Sequence, residues 1–161
     1  MRLALTRFTL LFAACGVIAT GCSDDGPADI PANTGDAMAN YANIVYASYL
    51  DSHTAAVALK GAVDAFVANP TDETLADARQ AWLDSREPYL QTEVYRFYDG
   101  PIDHPDDGPE GLLNAWPLDE SHIDDIIAGT DTITAAFLES QNESPREDSI
   151  SVGYHAVEYL L

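Results

Sequence analysis

His155 and Glu158 stand three residues apart in the closing segment Gly153-Tyr154-His155-Ala156-Val157-Glu158-Tyr159-Leu160-Leu161. That segment reads as helix, where residues three apart share a face with Cβ atoms about 5–6 Å apart. An imidazole and a carboxylate so placed can hold a divalent or trivalent metal ion together. The same spacing also describes a core-edge histidine bonded to backbone beside a solvated glutamate, so the pair by itself leaves both readings open.

Other side chains could complete such a site. Glu93 lies between Tyr89 and Phe97 at i−4 and i+4, which makes it either an inward third oxygen ligand or a surface glutamate paired with Arg96. Arg86 can hold a carboxylate bidentately, or simply pair with Asp84 or Glu87. Asp103 is a loop ligand or a turn-forming aspartate. His53, His104 and His122 lie outside these segments and read as surface residues. Asp106-Asp107 and Asp124-Asp125 read as solvated charge pairs, because the ligand pattern of a calcium loop is absent. Tyr41, Tyr46, Tyr49, Trp82 and Trp116 read as core and interface packing.

The elements that must position these residues read as helices. Residues 36–69 form one long helix, or two with a break near Ser52-His53, ended by Asn69-Pro70. Thr71 is an N-cap followed by Asp72 and Glu73, and Leu75, Ala78 and Trp82 share a face of the next helix. Pro88 must kink or restart that helix. Residues 99–118 read as a long Gly-, Pro- and Asp-rich loop, a length that usually signals function. Asp119 or Ser121 opens a helix that ends near Gly129, residues 132–140 form a short one, and Ser149 caps the last. No segment carries a strand pattern, so the fold class is all-α, a helical bundle.

Composition narrows the function. Of the 161 residues, 27 are acidic and 7 basic, for a formal charge of −20, and Lys60 is the single lysine. Such a chain repels nucleic acid and anionic membrane and attracts cations; it is also what solubility or adaptation to salt alone would produce. Residues 1–21 read as a signal peptide, with Arg2 and Arg7 before an apolar stretch from Phe8 to Ile18. Ala19-Thr20-Gly21-Cys22 resembles a lipobox, which makes Cys22 the lipidated first residue of the mature chain. The alternative is an ordinary secretory signal cleaved nearby. Cys15 falls in the leader, so no internal disulfide is expected. Ser23 after the cysteine favours an outer-membrane lipoprotein of the cell envelope, and residues 22–35 read as a flexible tether to a domain at 36–161.

Three blocks then combine. They are Arg86-Glu87-Pro88-Tyr89-Leu90-Gln91-Thr92-Glu93, Gly100-Pro101-Ile102-Asp103 with Asn114-Ala115-Trp116-Pro117-Leu118-Asp119-Glu120, and Gly153-x-His155-x-x-Glu158. In this order they resemble the imelysin-like family, also called M75 peptidase-like, in its iron-regulated protein A branch. The resemblance implies a fold of two bundle-like halves, of which residues 36–161 are the first. It also implies export to the envelope, a metal site around the His-x-x-Glu pair, and an iron-uptake or iron-regulated setting. Members of the family continue past this helix, and no stop signal follows Leu161, so a fragment of a longer chain is expected.

Three functions compete. The first is capture of iron, zinc or a similar metal ion by His155, Glu158 and Glu93, supported by Arg86 and Asp103. The second is an M75-type metallopeptidase, although the chain has no His-Glu-x-x-His zinc arrangement. The third is a helical scaffold with a vestigial site. The partners expected are the metal ion, the membrane through the lipid anchor and an iron-uptake system, with no nucleic acid. The leader generates its own prediction: labelled palmitate should enter the wild-type chain and be lost in Cys22→Ser, and equal labelling of both would refute the anchor.

Overall fold

Among the described residues of the computed structural model, 31–161, six α-helices form and no strand does. The all-α expectation is met. The leader, Cys22 and the tether up to residue 30 lie outside the described residues. Helix α1, Thr34–Ala68, is continuous through Ser52-His53. Its polar residues do not break it because they bond back into it. The hydroxyl of Ser48 donates to the Ile44 carbonyl at 3.0 Å and that of Thr54 to the Leu50 carbonyl at 2.8 Å.

Helix α2, Asp72–Thr92, begins at the expected cap. The Thr74 amide donates to the Thr71 hydroxyl at 3.2 Å, and the Thr71 amide donates to the Thr74 hydroxyl at 3.0 Å. The helix runs past Pro88 without restarting there. Ser85 and Tyr89, on either side of the proline, are buried, and tertiary packing of this kind outweighs one missing backbone bond. A single 3₁₀ turn, Glu93–Tyr95, follows.

The segment expected to be loop throughout contains a one-turn helix, α3, Glu110–Leu113. Helix α4, Glu120–Ala128, is capped by Asp119, whose carboxylate accepts from the Ser121 amide at 3.1 Å. Helix α5, Ala135–Gln141, starts three residues later than residue 132, because Thr134 supplies the capping oxygen to the Phe137 amide at 3.1 Å. The last helix, α6, is Gly153–Leu160, and Ser149 does not cap it. Instead Ile150 is wholly buried in an irregular stretch, its amide bonded to the Asp148 carbonyl at 2.9 Å. Asn142 satisfies that buried backbone: its side-chain oxygen accepts from the Ser151 amide at 3.1 Å, while its amide donates to the Gly111 carbonyl at 2.8 Å.

The core is small and sits where α2 and α6 meet. Leu59, Tyr89 and Tyr154 form its centre, with Val63, Ala81, Trp82 and Leu113 against it. The Tyr89 and Tyr154 rings lie 4.9 Å apart, and the Trp82 indole donates to the Tyr154 carbonyl at 2.9 Å. The expected burial of the aromatic residues holds only in part. Tyr41, Tyr46 and Trp116 are exposed, and Met38 and Ile44 join Tyr41 and Tyr46 as exposed apolar residues in the first half of α1.

Gly153 makes the junction of α6 with α3 possible. Its φ is +87°, and a Cβ there would lie 2.7 Å from the Leu113 carbonyl oxygen and 2.9 Å from that of Leu112. Backbone cannot yield as a side chain does, and an L-residue at such a φ is itself strained by about 1–2 kcal/mol. Gly153→Ala should therefore destabilise the chain by at least that amount in urea unfolding, whereas Gly61→Ala, in open space on α1, should be neutral or slightly stabilising. Equal stability of Gly153→Ala and wild type would show that α6 is not seated against α3.

Candidate metal site

Helix α6 buries Tyr154 and Ala156 and turns Gly153, Tyr154 and Val157 toward the core pocket, which His155 and Glu158 do not line. The imidazole Nδ1 lies 3.0 Å from the Glu158 carboxylate. The His155 side chain is 16% exposed and that of Glu158 48%, so the pair sits at the edge of the core with its carboxylate in solvent. Two ligands bonded to one metal at about 2.1 Å and at right angles stand about 3.0 Å apart. The observed spacing therefore matches both an N–H···O hydrogen bond and one edge of an octahedral metal site. In the hydrogen-bonded form Nδ1 carries the proton. In a metal-bound form the proton sits on Nε2, and the Nδ1 lone pair faces the ion.

The other expected site residues gather in a second cluster. Arg86 donates from Nη1 to the Asn114 side-chain oxygen at 2.6 Å, and Asn114 donates from Nδ2 to Glu93 at 3.2 Å. Glu93 also lies 3.5 Å from Arg96, which is 2.9 Å from Glu110. Glu93 thus makes the Arg96 pairing that its sequence position allowed, and Asn114 adds a second partner. The Arg86 guanidinium lies 4.8 Å from the Tyr154 ring centre, 5.4 Å from Tyr89 and 5.7 Å from Trp82. A delocalised cation between aromatic faces is bound by their quadrupoles, so Arg86 is a structural post under α6. It pairs with neither Asp84 nor Glu87.

Asp103 behaves as a turn former. Its carboxylate accepts from the Phe97 amide and, at 3.1 Å, from the Gly100 amide. Phe97 and Asp99 have φ values of +69° and +52°, a conformation that such side-chain bonds support. Among the described residues no group of three His, Cys, Asp or Glu is arranged to hold a metal ion. His155 and Glu158 supply two donors whose chemistry and spacing fit a hard or borderline cation. His53 is exposed, as expected. His122 is less exposed than a surface residue, with its Nε2 buried and unpartnered.

Burial pushes the Tyr89 phenol up to about 12, and the nearby carboxylates of Glu110 and Glu93 add to it. Tyr89 is therefore a neutral hydrogen-bond donor at any physiological pH. With Leu59, Ile102, Leu113, Tyr154 and Val157 it lines an apolar pocket of about 400 Å³ on the inner side of α6, separate from the His155–Glu158 pair.

Two residues to which the sequence reading gave no part in the site matter here. Asn114 joins Arg86 to Glu93, and Trp116 lays its ring 4.7 Å from that of His155, tilted by 55°. Their signal was the Asn-Ala-Trp-Pro block itself, but contacts across 28 and 39 residues leave no periodicity to read.

A half-buried histidine with a solvated glutamate on a short helix, braced by an arginine-bearing helix upstream, is thus the layout of this all-α chain. The family is shown directly: the imelysin (peptidase M75) sequence model matches residues 45–161, and the chain belongs to the imelysin family. It is similar to a protein named iron-regulated protein A from Synechococcus elongatus, with 35% identity over 118 residues, which covers 73% of this chain and 28% of that one. The chain thus spans little more than a quarter of the relative's length. No solved structure matches it.

The loop that carries Trp116 has an acid-sensitive anchor. The Ser121 hydroxyl bond and then Arg146, 2.6 Å away, hold the Asp119 carboxyl below the usual carboxylate range. A depressed pKa contributes stability that is complete above the unfolded value, about 3.9, and is lost as pH falls through the folded one. Acidification through the unfolded value and below should thus lower the protection factors of the Ser121 and His122 amides, measured against their intrinsic exchange rates at each pH. Asp119→Asn keeps a capping oxygen but gives up the ion pair, so its exchange should lack that added acid step. An identical acid profile in the variant would refute the assignment.

Proposed function

We propose that this chain is part of an envelope-anchored imelysin-like protein that binds iron, or a metal ion of similar hardness, through His155 and Glu158. The observation that carries the reading is the 3.0 Å separation of Nδ1 and the carboxylate on one turn of α6, a separation suited to two cis ligands. The name of the relative, iron-regulated protein A, supports iron as the cargo. The high acidic charge adds a field that concentrates cations near the surface. Imidazole with carboxylate suits iron, zinc or manganese better than the all-oxygen sites that suit calcium.

The remaining ligands come from outside the pair, and Glu93 contributes as a third donor only by leaving Asn114 and Arg96. The lipid anchor at Cys22 holds the domain at the outer membrane, where an iron-uptake system can draw on it. The chain covers 28% of its relative, and transport partners and peptidase chemistry are not carried over from that protein.

His155→Ala should weaken Zn²⁺ or anaerobic Fe²⁺ binding by well over tenfold, which is more than about 1.4 kcal/mol. Glu158→Ala should follow it, and His53→Ala should have no effect. Calorimetric titration of the intact chain is the measurement. Identical metal uptake by wild type and His155→Ala would leave only the helical scaffold.

A further inference from the structure

We propose that Trp116 is the positioning residue of the His155–Glu158 pair, and that the Arg86–Asn114–Glu93 bridge holds Trp116 in place. The inference rests on the metal reading of that pair. Trp116 is 65% exposed, although its neighbour Ala115 is buried at 6%. An indole left largely in water forgoes burial that is worth about 25 cal/mol per Å². The segment turns the largest side chain it has outward, and the ring's recorded aromatic contact is the imidazole, 4.7 Å away.

Both ends of residues 114–119 are pinned, which fixes where the indole falls. At one end the Asn114 amide is used twice, as acceptor from Arg86 at 2.6 Å and as donor to Glu93 at 3.2 Å. Arg86 in turn is held among Trp82, Tyr89 and Tyr154, and Tyr154 precedes His155 on α6. At the other end the Asp119 amide donates to the Asp148 carbonyl at 2.8 Å, and its carboxylate meets Arg146 at 2.6 Å. The segment that carries Trp116 and the helix that carries His155 are therefore referenced to the same arginine.

The chemical consequence concerns the imidazole. One hydrogen bond at Nδ1 sets the distance to Glu158 but leaves the ring free to tilt about that contact. The indole, 4.7 Å away and tilted by 55°, limits that rotation and so keeps Nδ1 on the side of the Glu158 carboxylate. Freezing one side chain before a ligand arrives removes about 0.5–1.5 kcal/mol of ordering cost. By the usual conversion this is about a two- to tenfold gain in affinity.

The test combines nuclear magnetic resonance of the metal-free chain with Zn²⁺ calorimetry. The indole should shift the His155 ring protons upfield by its ring current. Trp116→Ala should abolish that shift and weaken Zn²⁺ binding about two- to tenfold, with the helical circular dichroism unchanged. Trp116→Phe should recover most of the affinity. Asn114→Asp, which cannot donate to Glu93, should reduce the upfield shift although the indole is still there. Wild-type Zn²⁺ affinity in Trp116→Ala, or a full shift in Asn114→Asp, would overturn the inference. If His155→Ala abolishes uptake and Trp116→Ala leaves it unchanged, the metal site stands and only the role of Trp116 falls. If His155→Ala changes nothing, the metal reading fails and the role of Trp116 falls with it.

Discussion

No side chain fits between the start of α6 and the carbonyl oxygens of Leu112 and Leu113, and the placement of α6 depends on that steric limit. Gly153 meets it with φ +87° and no Cβ. Once α3 and α6 touch there, Tyr154 reaches Tyr89 at 4.9 Å, and Trp82 can bond the Tyr154 carbonyl at 2.9 Å. Gly153, Tyr154 and Val157 then line the inner pocket, and His155 and Glu158, three residues apart on one face, are not among its lining residues. The glycine of the Gly-x-His-x-x-Glu motif is thus a packing requirement, and the histidine and glutamate are what the packing presents.

Electrostatics organises the ground next to that contact. Arg86 is surrounded by three aromatic rings, which favour a flat delocalised cation over an ammonium. Its one strong directional bond goes to Asn114, and from there the chain of contacts passes through Glu93 to Arg96 and Glu110. Two cations and two carboxylates alternate in this cluster, within a chain that is otherwise overwhelmingly acidic. Such alternation lets half-buried charges satisfy one another. It also explains how Glu93, a candidate ligand in sequence, and Arg86, a candidate supporting residue, hold helix α2 to the Asn114 loop.

Family membership and the exposed apolar residues describe one molecule from two sides. The imelysin match covers residues 45–161, and the chain spans 28% of iron-regulated protein A from Synechococcus elongatus. Within the described residues the core is modest, while α1 keeps Met38, Tyr41, Ile44 and Tyr46 exposed. The site shares this economy. It rests on one helix of eight residues whose orientation comes from α2 and α3, so its geometry is a property of the packing more than of α6 itself.

The local code was legible wherever a signal and its effect lie within one turn. The Thr71 cap, a helix start at Asp119 or Ser121, the stop at Asn69-Pro70, the absence of strand and the shared face of His155 and Glu158 all followed from spacing and side-chain chemistry. The sequence also carried the family through its three ordered blocks. Where reading failed, a distant partner had overridden a local preference. Ser149 could cap a helix, but burying Ile150 against a backbone satisfied by Asn142 moved the start to Gly153. Pro88 could kink or restart a helix, but with Ser85 and Tyr89 buried on either side α2 runs on without a restart. For Glu93 and Arg86 the sequence left a site role and plain pairing both open, and each is bonded to Asn114. Trp116 could fill a core, yet it lies over His155. In each case the side chain itself allowed two states of similar local energy, and only contacts across tens of residues, which exist after the chain has packed, selected one.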